Sequence, residues 1–539
     1  MRFANAARIT FLAIVIATAL KTVLLLFDRF PFNADEAIVA LMARHILLNG
    51  ARPIFFYGQA YMGSLDAYLV AAGFALFGFQ VWVIRAVQIV LYLLVIGSTL
   101  ALIPFLFNPY HGFWYTAALL AIPTVNVTLY TTVSLGGYGE ALFIGNLILY
   151  LGLKILSSLE GKAELLPVWL WTLGFLVGLG LWVNGLTGIY SLPTLLGLIY
   201  QGFRERRKLS VRKLGVAFAL ISAGILVGSL PWWLYAYRQG LDVLLAELFG
   251  SAIAVSQGSW FQQIGANFFN LLLFGVSVII GLRPPWEIRW LALPLAPFAL
   301  AFWMAVIGLW GRFLRRSRFS LAHWMLNGVA LTFLLAFVLT PYGADPSGRY
   351  FLPLWIVLSL MAGEMIGKFV PKVSYQVGCI AVIVLFNLWG VVECALRDTP
   401  GLTTQFDPVA AVDHRYLPQL IRFLHENGET HGYTNYWVAY PLAFLSDERL
   451  IYAPRLPYHP DLRYTPRDDR YPPYTRQVAE SGRVAYITTK NPKLDEVLTA
   501  NFRLAGVEWQ ERWIGDYHIF YRLSRAVHPH EIGLGRKSP

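Results

Sequence analysis

The chain has 539 residues, 57% of them hydrophobic and only 14% charged. Soluble domains carry about a quarter charged residues, so repeated apolar runs of spanning length exclude a soluble protein over the first three quarters and predict a polytopic α-helical membrane protein. The net charge of +12 gathers in short loops such as RERRK (204–208) and RFLRRSR (312–318), the pattern of cytoplasmic loops beside anionic headgroups rather than of a nucleic-acid partner.

Arg2 and Arg8 precede the first apolar run. No small-residue cleavage site follows, so 9–27 is read as an uncleaved first span. Lys21 inside it either snorkels to the interface or finds a partner. The loop 28–82 comes next. In FNADEAIVALMARHILLNG (32–50), Ile38, Leu41, Met42 and Ile46 recur at helical spacing. Asp35 and Glu36 fall in the first turn, where acids meet the positive helix end, and Gly50 is the stop. PIFFYGQAYMGS (53–64) carries Tyr57, Gln59 and Tyr61. It is uncharged and aromatic, and reads equally as a membrane anchor or as the wall of a substrate groove. SLDAYLVAAGFALF (64–77) predicts a second helix capped by Ser64, with Asp66 in its first turn. Both helices are expected in the headgroup plane.

Further spans are expected near 83–106, 113–131, 141–157, 166–183, 187–201, 213–235, 290–311, 321–341, 351–367 and 374–394, about eleven in all. SLGGYGEALFIGN (134–146) opens the fourth, and its Glu140 reads both as a site acid and as a helix cap. A cytoplasmic N-terminus places Lys162, the clusters at 204–213 and 312–318, Lys368 and Lys372 inside. The apolar stretch 266–282 is read as a re-entrant helix within an outer segment, 236–289. Counting it as a span would turn Arg312, Arg315, Arg316 and Arg318 outward. In TPYGADPSGRYFLPLW (340–355), Asp345 and Arg349 are the only charges. Arg349 either snorkels or grips a phosphate with its planar fork, while Tyr342 and Tyr350 fit an aromatic belt. Cys379 and Cys394 read as buried thiols, and the scattered histidines give no metal motif.

Charge rises from about 396, which predicts a separate domain, 396–539, of α/β or α+β type after a membrane domain, 1–395. RYLPQLIRFLHENG (415–428) predicts an amphipathic helix ended by Gly428. Strands are expected at 449–454, 483–489 and 517–523, helices near 438–446 and 493–502, and a long loop over 459–475 that reads either as an acceptor contact or as a plain connection.

These stretches carry a resemblance. FNADEAIVALMARHILLNG, FFYGQAYMGSLDAYL (55–69), SLGGYGEALFIGN and the tail stretch YTNYWVAYPLAFLSDERLI (433–451) are similar to the GT-C superfamily of integral membrane glycosyltransferases. Within it the chain resembles the lipid A aminoarabinose transferase and protein O-mannosyltransferase group. The resemblance implies a polyprenyl-phosphate-linked sugar donor, used at the outer face of the membrane with inversion at the sugar carbon, and a glycan, lipid or protein acceptor. It makes Asp35 the base or substrate-orienting acid, Glu36 its neighbour, Glu140 the second-loop acid, and Arg349 with Tyr350 the donor-phosphate contacts. Tyr57, Gln59, Tyr61 and Asp66 then line the substrate groove. GQAYMGS stands where some relatives have a histidine–proline pair, so mannose transfer to protein is not implied. No cofactor is required, although some members carry a divalent metal at these acidic loops. The expected location is a bacterial inner membrane, with the C-terminal domain extracytoplasmic. A lipid-diphosphate-linked glycan ligase or polymerase, or a transporter, are the alternatives.

Overall fold

A computed structural model describes all residues except 1–2, 162–165, 206–210, 248–258, 317–319, 346, 398–400, 406, 408, 460 and 535–539. The predicted loop cations Arg2, Lys162, Arg206, Arg207, Lys208 and Arg318 lie outside the described residues. The chain divides into two compact units. One comprises Met1–Leu26, Ala60–Asp66 and Arg85–Ala395, and the other Phe27–Gln59, Ala67–Ile84 and Leu396–Pro539.

The first unit is helical. Among the described residues of the chain, nine helices are long and apolar enough to cross a membrane: Asn5–Leu26, Val81–Leu106, Tyr138–Leu159, Val211–Gly228, Trp260–Ile279, Ala296–Arg315, Leu321–Leu339, Arg349–Phe369 and Val373–Ala395. The predicted span 113–131 is instead two helices, Pro109–Ala121 and Val125–Tyr130. They part at Pro123, which has no N–H to carry the ladder on. The predicted span 213–235 ends at Gly228, and a new helix starts at Leu230 with Pro231 in its first turn. The predicted re-entrant stretch belongs to the longer helical run Trp260–Ile279, which passes through a π-turn at Leu271–Gly275.

Small residues let two of these helices touch backbone to backbone. Along Pro167–Val183, a Cβ on Gly174 would stand 2.1 Å from Ile221 O. Along Val211–Gly228, one on Gly228 would stand 2.1 Å from Phe175 O. Lys21, in the first span, neither snorkels nor meets an acid. Its buried amine donates to Thr128 O (3.3 Å), Thr131 O (3.0 Å) and the hydroxyls of Thr131 (2.8 Å) and Thr132 (2.7 Å). It also lies 4.7 Å from the centre of the Tyr92 ring. These carbonyls close the C-terminal end of helix Val125–Tyr130, where a cation is favourable.

The second unit joins most of the first loop to the tail. Its sheet has strands β1 (His431–Thr434), β2 (Ile451–Pro454), β3 (Ala485–Thr489), β4 (Gln510–Ile514) and β5 (Tyr517–Tyr521), in the order β2-β1-β3-β5-β4. β1 runs parallel to β2 and β3, and β5 antiparallel to β3 and β4. Helix Leu417–Asn427 packs Leu417, Leu420 and Leu424 into a core with Tyr452, Ile487 and Ile519, and stops at Gly428 in the left-handed conformation (φ 68°). β2, β3 and β5 lie within the predicted strands. β1 and the exposed edge strand β4, along with helix Pro472–Ala479 at the end of the expected loop 459–475, are additions.

Helix Ala34–Asn49 belongs to this unit. Asn33 caps it by accepting from Glu36 N at 3.0 Å, and Gly50 ends it at φ 62°. Every residue from Glu36 to Ala43 is buried. Its last turns are tied to the tail: Arg44 meets Asp447 (2.7 Å) and Glu448 (3.1 Å), and His45 Nε2 lies 2.9 Å from Glu448.

Candidate functional site

In the second unit the site is built around Asp35. The Asn33 cap places Asp35 half-buried in the first turn of its helix, where the free N–H groups favour a carboxylate. Tyr436, almost fully buried, donates its phenol hydrogen to Asp35 Oδ1. Tyr436 is in turn fixed by the start of helix Tyr436–Leu445. Asn435 accepts from Trp437 N at 3.0 Å and donates to Thr489 Oγ1 at 2.8 Å, at the end of β3. The Arg470 guanidinium lies 5.6 Å from the Tyr436 ring centre. Burial, then the Asp35 charge, pushes the Tyr436 phenol well above its usual range, so it stays a donor. Glu36, the predicted neighbour of Asp35, is fully buried.

Tyr57 also belongs to this unit, but its ring is already engaged. It stacks on Tyr471 at 4.8 Å and 22°, and its hydroxyl lies 3.1 Å from His45 Nδ1. Gln59 is half-buried at the end of the same segment.

The first unit gathers Tyr61, Asp66, Glu140, Arg349 and Tyr350. Asp66 is buried and accepts from Gln88 Nε2 at 2.8 Å and from the Ser134 hydroxyl. Burial pushes its pKa up, and these donors with the Gly137 N–H pull the other way. Gly137, in the left-handed conformation at φ 85°, starts the helix whose first turn carries Glu140. The buried Glu140 carboxyl faces Asp66. Asp66 thus sits in a buried polar cluster with Gln88, Ser134 and Glu140.

Arg349 starts the helix after Gly348 (φ 78°). Its Nε donates to Asp345 at 2.7 Å, and a terminal nitrogen lies 2.5 Å from the same oxygen. Asp345 is held by Ser347 N at 2.8 Å. Tyr130 donates to Ser347 O at 3.0 Å and Asn126 to Gly348 O at 3.1 Å, which pins the loop to helix Val125–Tyr130. Tyr350 lies 5.4 Å from Tyr342 and 6.3 Å from Tyr138, ring centre to ring centre, and the guanidinium lies 5.2 Å from the Tyr350 ring. About a third of the Arg349 side chain, 32%, is exposed. A planar fork held on one side by a carboxylate still has N–H groups for an anion on the other. Tyr61 is within electrostatic reach of Tyr342.

Sequence reasoning did not single out Tyr436, Asp468, Arg470, Asn126 or Tyr130. Their roles depend on partners far away in the chain, and the one available signal was the resemblance of the 433–451 stretch. Among the described residues, no group of three or more His, Cys, Asp or Glu side chains is placed to hold a metal ion.

No protein-family model matches the chain, and no curated protein matches it in sequence. Solved structures do match. ArnT from Cupriavidus metallidurans bound to undecaprenyl phosphate superposes with a TM-score of 0.57 at 14% identity, covering 96% of this chain and 98% of that one. The archaeal oligosaccharyltransferase AglB from Archaeoglobus fulgidus, in complex with an inhibitory peptide and a dolichol-phosphate, matches with a TM-score of 0.52 at 15% identity, over 90% of this chain and 70% of that one. At such identities the likeness is one of fold, and the GT-C-like fold expected from the sequence is the fold found.

Proposed function

We propose that this chain is an integral membrane glycosyltransferase that moves a sugar from a polyprenyl-phosphate-linked donor to an acceptor hydroxyl at the outer face of a bacterial inner membrane. The observation that carries the proposal is Asp35, a half-buried carboxylate at a helix start whose orientation is set by a buried phenol. The fold supports it, since ArnT was solved with undecaprenyl phosphate and AglB with a dolichol-phosphate.

The chemistry needs little else. The acceptor oxygen attacks the anomeric carbon, the carbon–oxygen bond to phosphate breaks, and the anomeric centre inverts. The hydroxyl proton passes to Asp35. The lipid phosphate leaves with the electron pair of the broken bond and is already ionised, so no strong general acid is needed. Within the first unit, Arg349 is the fork that the resemblance gives to the phosphate, with Asp345 fixing its plane. Asp66, held by Gln88 and Ser134, and the buried Glu140 lie by the helix start that carries Tyr138. No metal is assigned to the reaction.

The test is transfer in membranes supplied with radiolabelled polyprenyl-phosphate sugars, comparing wild type with Asp35→Asn. The expected result is a loss of about 10²–10⁴-fold, the usual worth of a general base, with donor binding kept. Unchanged transfer would reduce Asp35 to a helix-end acid. Consumption of a lipid-diphosphate sugar alone would move the assignment to a glycan ligase.

A further inference from the structure

Asp468 lies in the tail stretch PRDDR (466–470), outside everything assigned above. Such a run ordinarily reads as a solvated loop, yet Asp468 is only 8% exposed. Its backbone is fixed from three sides. Its N–H reaches Thr465 O at 3.0 Å, while its carbonyl accepts from Tyr440 OH and from Arg470 N, both at 2.9 Å. Its carboxylate, by contrast, takes no hydrogen bond from any of the described residues. Its oxygens are not among the fully enclosed polar atoms of the described residues, so an incoming hydroxyl can reach them.

The surroundings belong to the same unit. Asp468 lies within electrostatic reach of Asp35 and Arg470, and the Tyr458 hydroxyl within reach of all three. Trp437 stands edge-on to Tyr436 at 4.9 Å and to Tyr458 at 6.1 Å. Its indole N–H is buried and has no acceptor among the described residues. The cluster therefore holds a strong acceptor and a donor that are both unanswered, framed by aromatic rings.

Its charge narrows the ligand. Two carboxylates repel a phosphate or another anion, and Arg470 opposes an amine. What remains is a neutral molecule rich in hydroxyls with an apolar face, which carboxylates receive as paired acceptors and rings receive by contact. We propose that Trp437, Tyr458 and Asp468 form an acceptor subsite beside Asp35 that binds a sugar ring or similar cyclic polyol. The placement of the attacking hydroxyl next to Asp35 rests on the glycosyl-transfer reading. The binding of the polyol does not.

The full-length protein in lipid nanodiscs, with no donor present, is tested by saturation-transfer NMR against methyl glucoside, methyl galactoside, methyl mannoside and myo-inositol, with cyclohexanol as the apolar control. Wild type is expected to transfer saturation to the ring protons of at least one polyol and not to cyclohexanol. Asp468→Asn, an isosteric change, and Trp437→Phe, which keeps an aromatic ring and removes the indole N–H, are each expected to weaken that binding about tenfold, with the unfolding midpoint of Asp468→Asn matching wild type at pH 4. No polyol signal from wild type overturns the subsite, as does an equal signal from both variants. Consumption of labelled lipid-phosphate sugar is scored separately. If a polyol binds and no donor is consumed, the subsite stands and the transfer reading falls. If a donor is consumed and no polyol binds, the reverse holds.

Discussion

The Tyr436 phenol donates its hydrogen bond to Asp35 across 401 residues of sequence. A buried tail residue thereby sets the direction of a first-loop carboxylate. A hydrogen bond to a charged group is worth about 1.5–3 kcal/mol. Tyr436→Phe keeps the ring and removes that bond. It should lower turnover roughly ten- to a hundredfold while leaving the KM for lipid-linked donor near wild type, as steady-state assays in membranes would report. Equal turnover would detach Tyr436 from the reaction.

Arg349 should not tolerate lysine. Its fork is held by Asp345 through two nitrogens on one oxygen, a geometry an ammonium cannot reproduce. Arg349→Lys is expected to raise the donor KM by about tenfold or more. Asp345→Asn, which frees the fork without removing it, should produce a smaller rise. Donor titrations over a range of concentrations separate the two.

The Asp66 cluster predicts a stability effect. Asp66→Ala leaves the buried Gln88 amide and Ser134 hydroxyl without the acceptor they now share. Each orphaned group costs about 1–3 kcal/mol, so the unfolding midpoint should fall clearly, whereas Gln88→Met, which removes one donor and fills its space, should cost less.

Chelation tests the metal expectation. Transfer by membranes washed with EDTA should equal that of untreated membranes. Activity lost to EDTA and restored by one divalent ion would instead assign an ion to the acidic loops.

Asp468 predicts a pH dependence. Burial, reinforced by Asp35 and opposed by Arg470, pushes its pKa from 3.8 up to about 7. A carboxyl raised on folding favours the folded state only while protonated. Its stabilising share is present below the unfolded value and is lost as pH climbs through the folded one. The window is therefore about pH 4 to 7, and the loss is on the order of 4 kcal/mol. Asp468→Asn does not titrate. Its unfolding midpoint should match wild type near pH 4 and exceed it at pH 8, the gap opening between. A gap that stays constant with pH would contradict the burial argument.

Much of the architecture was legible because it is written locally. The apolar runs have spanning length, Asn33 and Gly50 bracket a helix by cap chemistry, and Gly428 ends another. Where interruptions depend on context, the reading slipped. Pro123 breaks what looks like one span, although proline is often tolerated in membrane helices. β4, QERWI, is charged and exposed at a sheet edge, so it lacks the alternation that marks a strand. At the site, Asp35, Glu140 and Arg349 stood out as acids and a base beside apolar runs. Tyr436 and Asp468 did not, since a tyrosine in an aromatic helix and an acid in a charged loop look ordinary until the chain brings their partners.

The shared unit of first loop and tail also fixes an order of events during synthesis. Residue 35 emerges early and Tyr436 comes 401 residues later, a delay of roughly 20–80 s at ordinary elongation rates. For that interval helix Ala34–Asn49 lacks the tail residues that pair with it, and the Asp35 carboxylate lacks the phenol that orients it. A chain that stops before the tail never acquires either.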